Sequence, residues 1–463
     1  MKVIICGAGQ VGTTIARHLS MEGNDVTVID ASAEAARRAD ESYDVRGMVG
    51  FASHPATLRA AGAEEADLLI AVTRSDEVNL VACLVGQALF QVRRRIARLR
   101  HHGYLEPNWQ GAQAAERALV DVVISPEVEV ARGIARRLRT PGAFDMAPLS
   151  DGRLQLLGIH CEGAACPMTG QSLGGLRAQA AERGFTIVAL LREGAARMPR
   201  DEERIAAGDD VYVVARPERA DAVVAAFGHR EEEARRVVIV GGGNVGLHLA
   251  QMLKRDALVS LKVIEHDPVR AGLVAEALGP GSVVLSGDAL DRELLEEANI
   301  GAVDTVIAVT NDDETNIFVS VLAKRAGCGR AITLVNKSSY APVVDELGID
   351  AVVSPSSITI ASILRHVRRG AVGQVYPLGD GMVEVLEVRA LAGSALVAAP
   401  LGELALPKGM LVAAILRDGE PRLPEPGFRI QPGDEVIAVV AQAAREAAEA
   451  LIALPGSEPG AGQ

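Results

Sequence analysis

Short apolar runs alternate with helix-length segments along the first quarter of the chain. The runs are rich in valine, isoleucine and leucine and predict five strands, at Lys2–Cys6, Asp25–Ile29, Asp44–Val49, Leu68–Val72 and Arg95–Leu99. Helices are predicted to begin at Gln10, Ala33, His54 and Glu77. Strands without polar alternation are typical of a parallel sheet that helices cover on both faces. The pattern therefore predicts a Rossmann-like α/β domain.

The same pattern occurs a second time, which identifies the chain as a tandem duplication. The stretch ICGAGQVGTTIARHL from Ile5 matches IVGGGNVGLHLAQML from Ile239. Likewise, DLLIAVTRSDEVN from Asp67 matches DTVIAVTNDDETN from Asp304. The matching stretches are spaced by roughly 230 residues. A second Rossmann-like domain is therefore predicted in the second half of the chain.

A segment of different character follows each Rossmann-like part. It has short strands, turns with Gly and Pro, and one helix; strands are predicted at Leu154–Ile159, Asp210–Val214, Val383–Val388 and Glu435–Val440. Asp209 and Asp434 each follow a glycine and precede an apolar strand, which predicts a tight turn into that strand. Each segment has about 80–90 residues, enough for a small α+β domain.

The predicted fold class is thus α/β, a tandem duplication of a Rossmann-like parallel-sheet domain followed by a small α+β domain. The nucleotide-binding domains are predicted at residues 1–123 and 235–353, and the small domains at 143–228 and 371–453. The tail at 454–463 is rich in Pro and Gly and is predicted to be disordered.

A glycine loop follows the first predicted strand and opens the first predicted helix. Gly7 permits a tight turn, Gly9 lets the backbone approach a diphosphate, and Gly12 lets the helix pack close to the strand. A diphosphate would lie at the helix N-terminus, where free N–H groups favour an anion. Asp30 ends the next strand, about 20 residues on, where a carboxylate binds ribose hydroxyls. The loop therefore predicts a nucleotide site.

The second half has the same arrangement, with Gly241, Gly243 and Gly246 in the loop and Glu265 at the end of the next strand. Both acidic residues would repel a 2′-phosphate, which favours NAD(H) or a plain adenine nucleotide over NADP(H). The alternative for each half is a Rossmann-like fold that has been retained without a ligand.

Strand ends at the carboxyl edge of an open α/β sheet line its ligand crevice. Thr73 with Arg74, and Thr310 with Asn311, follow the fourth strand of each half and are candidate contacts. Arg98 ends the fifth strand, where it could neutralise a phosphate, stack on adenine, or simply be a charged strand end.

Two acidic residues, Asp76 and Asp313, lie at the start of the helices that follow these strand ends. Aspartate is a favoured cap of the first helical turn. They are therefore predicted to be helix caps rather than ligand contacts.

The composition excludes several classes of function. Apolar residues make up 49% of the chain and charged residues 23%, as in soluble globular proteins. The net charge of −13 disfavours nucleic acid as a partner. No apolar run approaches the about 20 residues that span a bilayer, and the run at Val3–Cys6 is too short for a signal peptide. A cytoplasmic protein is expected, whose five scattered cysteines are free thiols and hold no metal.

No set of residues in the sequence predicts catalysis. A dehydrogenase needs a proton donor or acceptor beside the nicotinamide. Ser339 and Tyr340 are similar to a reductase pair, but Val344 stands where the partner lysine would be. A Walker loop for phosphoryl transfer is also missing from the sequence. Nucleotide sensing without turnover is the favoured function; an NAD-dependent oxidoreductase and a soluble nucleotide-binding scaffold are the alternatives.

Several stretches resemble one known family over nearly the whole chain; they include CGAGQVG, RIARLR, ISPE, VGGGNVG, GDALDRELLEEANI, AVTNDDETNIFVSVLAKR and HVRRG. The family is TrkA, the cytosolic subunits of bacterial Trk potassium uptake systems, which are built from RCK (or KTN) domains. The resemblance implies a regulator that binds NAD(H), with ATP or ADP as further ligands. It also implies a homo-oligomeric ring, a tetramer, that docks on a potassium-translocating membrane subunit at the cytoplasmic face of the inner membrane.

The resemblance assigns nucleotide contacts in both halves. In the first half these are Gly7, Ala8, Gly9, Gln10, Val11, Gly12, Asp30, Thr73, Arg74 and Arg98. In the second half they are Ile239, Val240, Gly241, Gly242, Gly243, Gly246, Glu265 and Thr310.

The two halves depart from each other after the third strand, where Gly50-Phe51-Ala52 stands against Gly287-Asp288-Ala289. The two sites therefore need not bind the same nucleotide. At the position of Arg98, the second half is expected to offer Val335-Asn336-Lys337, in which Lys337 is a point charge rather than a planar fork.

Overall fold

The first α/β domain is a six-stranded parallel sheet with the strand order β3-β2-β1-β4-β5-β6. Its strands are β1 Lys2–Cys6, β2 Asp25–Asp30, β3 Arg46–Val49, β4 Leu68–Ala71, β5 Arg94–Arg98 and β6 Val122–Ile124. Its helices are Gln10–Met21, Ala33–Ser42, Pro55–Ala60, Asp76–Ala88 and Pro126–Arg139. The predicted strands are all present, with ends that differ by at most two residues, while β6 was not predicted.

The second α/β domain repeats this sheet with the strand order β14-β13-β12-β15-β16-β17. Its strands are β12 Arg236–Val240, β13 Ser260–Glu265, β14 Val283–Ser286, β15 Thr305–Ala308, β16 Arg330–Leu334 and β17 Ala351–Val353. Its helices are Asn244–Leu253, Pro268–Leu278, Arg292–Glu297, Asp313–Ala326 and Pro355–Val367. The helices Gln10–Met21 and Asn244–Leu253 are the glycine-loop helices below, and Pro126–Arg139 and Pro355–Val367 are the crossover helices.

Each small domain contains a five-stranded antiparallel sheet, in the orders β10-β9-β11-β8-β7 and β18-β19-β22-β20-β21. The first has β7 Ala143–Leu149, β8 Leu154–His160, β9 Phe185–Arg192, β10 Ala195–Arg197 and β11 Asp210–Ala215. The second has β18 Val372–Leu378, β19 Val383–Arg389, β20 Met410–Arg417, β21 Glu420–Arg422 and β22 Glu435–Ala441. Helices cover them at Leu173–Arg183, Ala220–Ala226 and Arg445–Ile452.

This architecture is that of a computed structural model, which describes residues 1–453 except for 22, 106–118, 163–165, 194, 231–232, 338–339, 341–343, 345, 368–371 and 379–380. The tail predicted to be disordered, at 454–463, lies outside the described residues. The tandem α/β fold predicted from the repeat is confirmed.

One apolar cluster joins the two small domains. It contains Val188 and Tyr212 from the first domain together with Val385 and Ile437 from the second, all of them buried. The hydroxyl of Thr186 also donates a hydrogen bond of 2.9 Å to the carbonyl oxygen of Ala413. The small domains are therefore held to each other by a shared core, because antiparallel sheets leave an apolar face that must be covered.

The chain forms two compact units that do not coincide with its two halves. One contains residues 1–130 and 354–367, and the other contains residues 131–353 and 372–453. In the first unit, the second crossover helix packs on the first glycine-loop helix, where Ile363 and Leu364 join the cluster of Ile15 and Leu19. A helix from the second half thus completes the core of the first α/β domain.

The second unit contains the C-terminal part of the first crossover helix. Arg330, the first residue of β16, donates hydrogen bonds to the carbonyl oxygens of Arg137 at 3.0 Å and Ala143 at 3.1 Å. A cation at a helix C-terminus satisfies carbonyl groups that the helix itself leaves unpaired. This contact ties the crossover helix to the second α/β domain.

An ion pair between a buried carboxylate and a half-buried guanidinium braces the tight turn in each small domain. Asp209 accepts two bonds of 2.7 Å from the guanidinium of Arg192, and Asp434 accepts bonds of 3.0 and 2.7 Å from that of Arg417. The second carboxylate also accepts a backbone bond of 2.8 Å from Gln431. Burial opposes the charge, but these donors hold the pKa of Asp434 below its usual 3.8.

We predict that Asp434→Asn destabilises the protein by about 3 kcal/mol near neutral pH, because it leaves the guanidinium without its counter-charge. Since the folded-state pKa lies below the unfolded value, the stabilisation is complete above about pH 4 and is lost as the pH falls further. Urea transitions measured at pH 7 and pH 3.5 would check this. Glu403→Gln, at an exposed position of the same domain, is the control. A difference from wild type that does not shrink in acid would contradict the prediction.

Candidate nucleotide-binding sites

The first and third glycines of each loop are required by the packing of the loop itself. Gly7 and Gly241 have φ angles of 113° and 106°, which side chains rarely adopt. A Cβ atom built on Gly12 would lie 1.9 Å from the carbonyl oxygen of Gly7, and one on Gly246 would lie 1.8 Å from that of Gly241. The glycine-loop helices can therefore approach their strands only because these positions have no side chain.

The middle glycine of each loop has no such internal reason. A Cβ atom on Gly9 or Gly243 would meet no atom within 4 Å. Neither residue has a positive φ, so the backbone would accept a side chain at both positions. The open space at the start of a helix is where an anion would approach the N–H groups.

The remaining loop residues divide between surface and core. Gln10 is exposed, whereas Ala8 and Val11 are buried. Ile239 and Val240 are residues of β12 whose side chains are buried in the core. These buried residues could contact a ligand only through backbone atoms.

Each predicted acidic residue lies against its own glycine loop. Asp30 accepts a bond of 2.7 Å from the N–H of Ala8 and another of 2.8 Å from Ser32. Glu265 accepts a bond of 2.6 Å from the N–H of Gly242 and one of 2.9 Å from Asp267. A carboxylate has about four acceptor positions, so both retain capacity for ribose hydroxyls.

An asparagine that was not singled out from the sequence holds the end of β4. Asn79 is fully buried, and its Oδ1 accepts bonds from the N–H of Thr73 at 2.9 Å and from the Thr73 hydroxyl at 2.7 Å. Its Nδ2 donates a hydrogen bond of 2.8 Å to the carbonyl oxygen of Arg98. The side chain therefore clamps the ends of β4 and β5 together at the crevice.

The second half contains the same clamp. Asn316 is fully buried and accepts hydrogen bonds from the N–H and the hydroxyl of Thr310 at 2.8 and 2.7 Å. Its Nδ2 donates a hydrogen bond of 3.0 Å to the carbonyl oxygen of Leu334. The signal was present in the sequence, since both copies of the AVT repeat end in this asparagine. Its role became visible only from the strands that it joins.

The prediction that Asp76 and Asp313 cap their helices is wrong. The capping residues are Ser75 and Asp312, whose side chains accept bonds from the backbone N–H groups three residues on. The carboxylate of Asp76 instead accepts bonds from the N–H groups of Arg100 and His101, at 2.9 and 2.8 Å. Asp313 accepts bonds from the N–H groups that follow β16 in the same way. Each thus holds a loop at the crevice.

Arg98 is buried at the end of β5, with its side chain against the crevice. Its Nη2 donates a hydrogen bond of 2.9 Å to the carbonyl oxygen of Thr73. Burial, followed by repulsion from Arg100, lowers the pKa of the Arg98 guanidinium to about 10, so it stays charged at neutral pH. Arg74, by contrast, is exposed in the turn after β4.

Three buried polar atoms at this edge have no hydrogen-bond partner among the described residues. They are Nε of Arg98, Oγ of Ser125 and Oε2 of Glu127. Ser125 and Glu127 follow β6, which pairs with β5 in a register that places Ile124 opposite Arg98. Burial raises the pKa of Glu127, whose Oε1 lies 3.9 Å from the Nε of Arg100. Buried polar groups without partners are costly, so these atoms fit a polar ligand here.

The second half lacks this cation. In the first half, the register of β4 and β5 places Ala71 opposite Ala97, the residue before Arg98. In the second half, the register of β15 and β16 places Ala308 opposite Thr333, so the counterpart of Arg98 is Leu334. The expectation that Lys337 occupies this position is therefore wrong. The Nζ of Lys337 lies 3.0 Å from Glu314 and 3.3 Å from the hydroxyl of Tyr340. The error arose because the chain leaves β16 three residues before that lysine.

Neither a metal-binding cluster nor a membrane-spanning helix occurs among the described residues. In that part of the chain, no group of three or more His, Cys, Asp or Glu side chains could hold a metal ion. Likewise, none of its helices combines the length and the apolar composition that spanning a membrane requires. Ser339, which the sequence pairs with Tyr340, lies outside the described residues.

Duplicated Rossmann-like sheets with glycine loops, each followed by a small α+β domain, define the chain as a tandem RCK-type protein. The model of the TrkA-N domain matches residues 3–126 and 237–355, and that of the TrkA-C domain matches 163–228 and 385–453. The Trk system potassium uptake protein TrkA of Azorhizobium caulinodans is 45% identical over 94% of this chain and 95% of its own length. That of Halomonas elongata is 40% identical over 95% and 96%. The chain belongs to the TrkA family of potassium uptake proteins.

Solved structures share the fold at low sequence identity. The GsuK RCK domain has a TM-score of 0.57 and 20% identity, covering 97% of this chain and 94% of its own. The GsuK channel bound to NAD has a TM-score of 0.57 and 19% identity, covering 97% and 78%. These likenesses support the tandem α/β architecture.

We predict that Asn79→Ala destabilises the protein by about 2 kcal/mol, because it removes the buried side chain that bonds the half-buried N–H of Thr73 and the buried carbonyl of Arg98. Thermal unfolding would measure the loss. Asn316→Ala is the matched variant in the second half and should cost a similar amount. If either variant unfolds at the wild-type temperature, the clamp does not hold the strand ends as described.

Proposed function

We propose that this protein is a nucleotide-sensing regulatory subunit that gates potassium flux through a membrane partner. The observation that carries the proposal is the duplicated crevice, in which a glycine loop, a strand-end carboxylate and a threonine held by a buried asparagine occur together in each half. Membership in the TrkA family supplies the link to potassium uptake.

The ligands are NAD(H) and, as further candidates, ATP and ADP. The N–H groups after Gly9 and Gly243 would hold the phosphates, and Asp30 and Glu265 would hold ribose hydroxyls. The unpartnered atoms of Arg98 and Ser125 would add polar contacts in the first half. A channel that shares this fold has been solved with NAD bound, which makes NAD(H) the first ligand to test.

The sites are proposed to sense rather than to turn over their ligands. At the first crevice, the Thr73 hydroxyl is bonded to Asn79, and the Asp30 carboxylate accepts bonds from backbone N–H groups. Burial raises the pKa of the Cys6 thiol at the end of β1 to about 12, so it stays protonated at neutral pH. None of these groups is poised to exchange a proton with a substrate. Steady oxidation of NADH with a carbonyl substrate would contradict this part of the proposal.

The two sites are proposed to differ in their response. The first half has Arg98 at the position where the second half has Leu334. A buried guanidinium at the end of β5 in only one half would place a positive charge at a point of the first crevice where the second has an apolar side chain. The partner is a membrane subunit of a Trk potassium uptake system, and the regulator is a homo-oligomeric ring at the cytoplasmic face of the membrane.

We predict that Gly9→Val abolishes nucleotide binding in the first half while the protein stays folded. A Cβ atom at this position meets no protein atom within 4 Å, so the valine fits the fold. The side chain would nevertheless occupy the space through which a phosphate approaches the helix N-terminus. Calorimetry with NADH and ADP should show the loss of one binding site, with affinity reduced by more than about 10-fold, or 1.4 kcal/mol. Gly243→Val is the matched variant and should remove only the other site. Unchanged affinities in both variants would exclude the glycine loops as nucleotide sites.

We also predict that the membrane subunit changes the nucleotide affinity of this protein by the same factor by which the nucleotide changes its affinity for the membrane subunit. Reciprocity of this kind is required of any allosteric pair, and such couplings are typically about 5- to 150-fold. Asp30→Ala removes the proposed ribose contact and should flatten the flux response in reconstituted vesicles. Equal nucleotide affinity with and without the membrane subunit, for every nucleotide tried, would show that the sites are not coupled to it.

A further inference from the structure

The second glycine loop carries an arginine that the first lacks. Arg270 lies in the first turn of the helix Pro268–Leu278, where its backbone N–H donates a hydrogen bond of 2.8 Å to the capping carboxylate of Asp267. Its Nε donates a hydrogen bond of 2.8 Å to the carbonyl oxygen of Gly242, and its Nη2 lies 3.4 Å from the Oδ1 of Asn244. The half-buried guanidinium therefore lies on the loop, beside the start of the second glycine-loop helix.

The corresponding position in the first half is Ala35. Both residues lie three positions after a helix cap, Asp267 in one half and Ser32 in the other. At the end of the fifth strand of each sheet the arginine is in the first half instead, since Arg98 there corresponds to Leu334 in the second half. Each half thus brings one half-buried or buried guanidinium to its crevice, from a different element of the fold.

The arginine is not needed to shape the loop. The first loop has almost the same geometry without it, with a φ of 113° at Gly7 against 106° at Gly241. The close approach of the helix is also the same, since the Cβ built on the third glycine would lie 1.9 Å from the carbonyl oxygen in one half and 1.8 Å in the other. The loop geometry therefore does not explain why a cation lies beside the N–H groups that would receive an anion.

We propose that Arg270 is the phosphate-binding residue of the second site, where it replaces the charge that Arg98 supplies in the first. A guanidinium has five N–H donors, and the two contacts with the loop use two of them, which leaves three for phosphate oxygens. Its charge also offsets the repulsion between Glu265 and a phosphate. The proposal rests on the proposed nucleotide binding and assigns the ligand of this site as a nucleoside diphosphate group.

The competing role for Arg270 is a purely structural one, as a staple between the loop and the following helix. The two roles differ in what they do to ligands with and without phosphate. A staple affects adenosine and ADP alike, because it acts through the shape of the site. A phosphate ligand affects ADP alone, and its contribution weakens as salt screens the charges.

The test uses the full-length chain with Gly9→Val, so that binding reports on the second site. ADP and adenosine are titrated by calorimetry, with adenosine also measured by competition against ADP. Arg270→Ala should weaken ADP binding by about 10-fold or more, as expected for a lost charge-assisted bond, and leave adenosine unchanged. It should also reduce the dependence of ADP affinity on salt between about 0.05 and 0.3 M. Arg292→Ala, which removes an exposed cation elsewhere in the domain, is the control.

Equal losses for ADP and adenosine, or a salt dependence identical to that of the parent chain, would overturn the proposal. An ADP affinity that does not change would overturn it as well. If the Gly9→Val chain binds no ADP while Gly243→Val does, the second half is not a nucleotide site, and the function proposed for the first half stands. If neither single variant nor the wild-type chain binds ADP or NADH, the proposed function itself fails.

Discussion

The close approach of each glycine-loop helix to its first strand is the constraint on which the candidate sites depend. The third glycine of each loop lies so near the carbonyl oxygen of the first that no side chain fits between them. This contact places the N-terminus of the helix directly over the end of the strand. The N–H groups of the first helical turn, the strand-end carboxylate and the end of β4 or β15 then meet at one edge of the sheet.

Backbone geometry is repeated in the two halves, whereas the charges around it are not. The strand order, the glycine conformations and the clamps of Asn79 and Asn316 occur in both. The guanidinium at the crevice belongs to the end of β5 in one half and to the helix after β13 in the other. Duplication of a fold thus preserved what its packing requires and let the electrostatics of the two crevices diverge, which gives one chain two unlike candidate sites.

Contacts between the halves join their parts within each compact unit. The second crossover helix completes the core of the first α/β domain, and Ser356 at its start donates a 3.3 Å bond to Gln10 in the glycine loop. In the other unit, Arg330 ties β16 to the end of the first crossover helix. Since Asn316 bonds the far end of β16 at Leu334, that strand connects the second crevice with the crossover helix. β16 is therefore the element that contacts both the second candidate crevice and the first crossover helix.

The sequence by itself determined the duplication, the parallel sheets and the placement of Asp30 and Glu265 beside their loops. Those features follow from local periodicity and from spacing within one strand-turn-helix unit, which a single stretch of chain contains. The tertiary structure alone decided the roles of Asn79, Ser125, Glu127 and Arg270, the replacement of Arg98 by Leu334, and the unit to which each crossover helix belongs. These depend on strand register and on contacts between segments distant in the chain, where a shift of three residues moves a cation from the crevice to the surface.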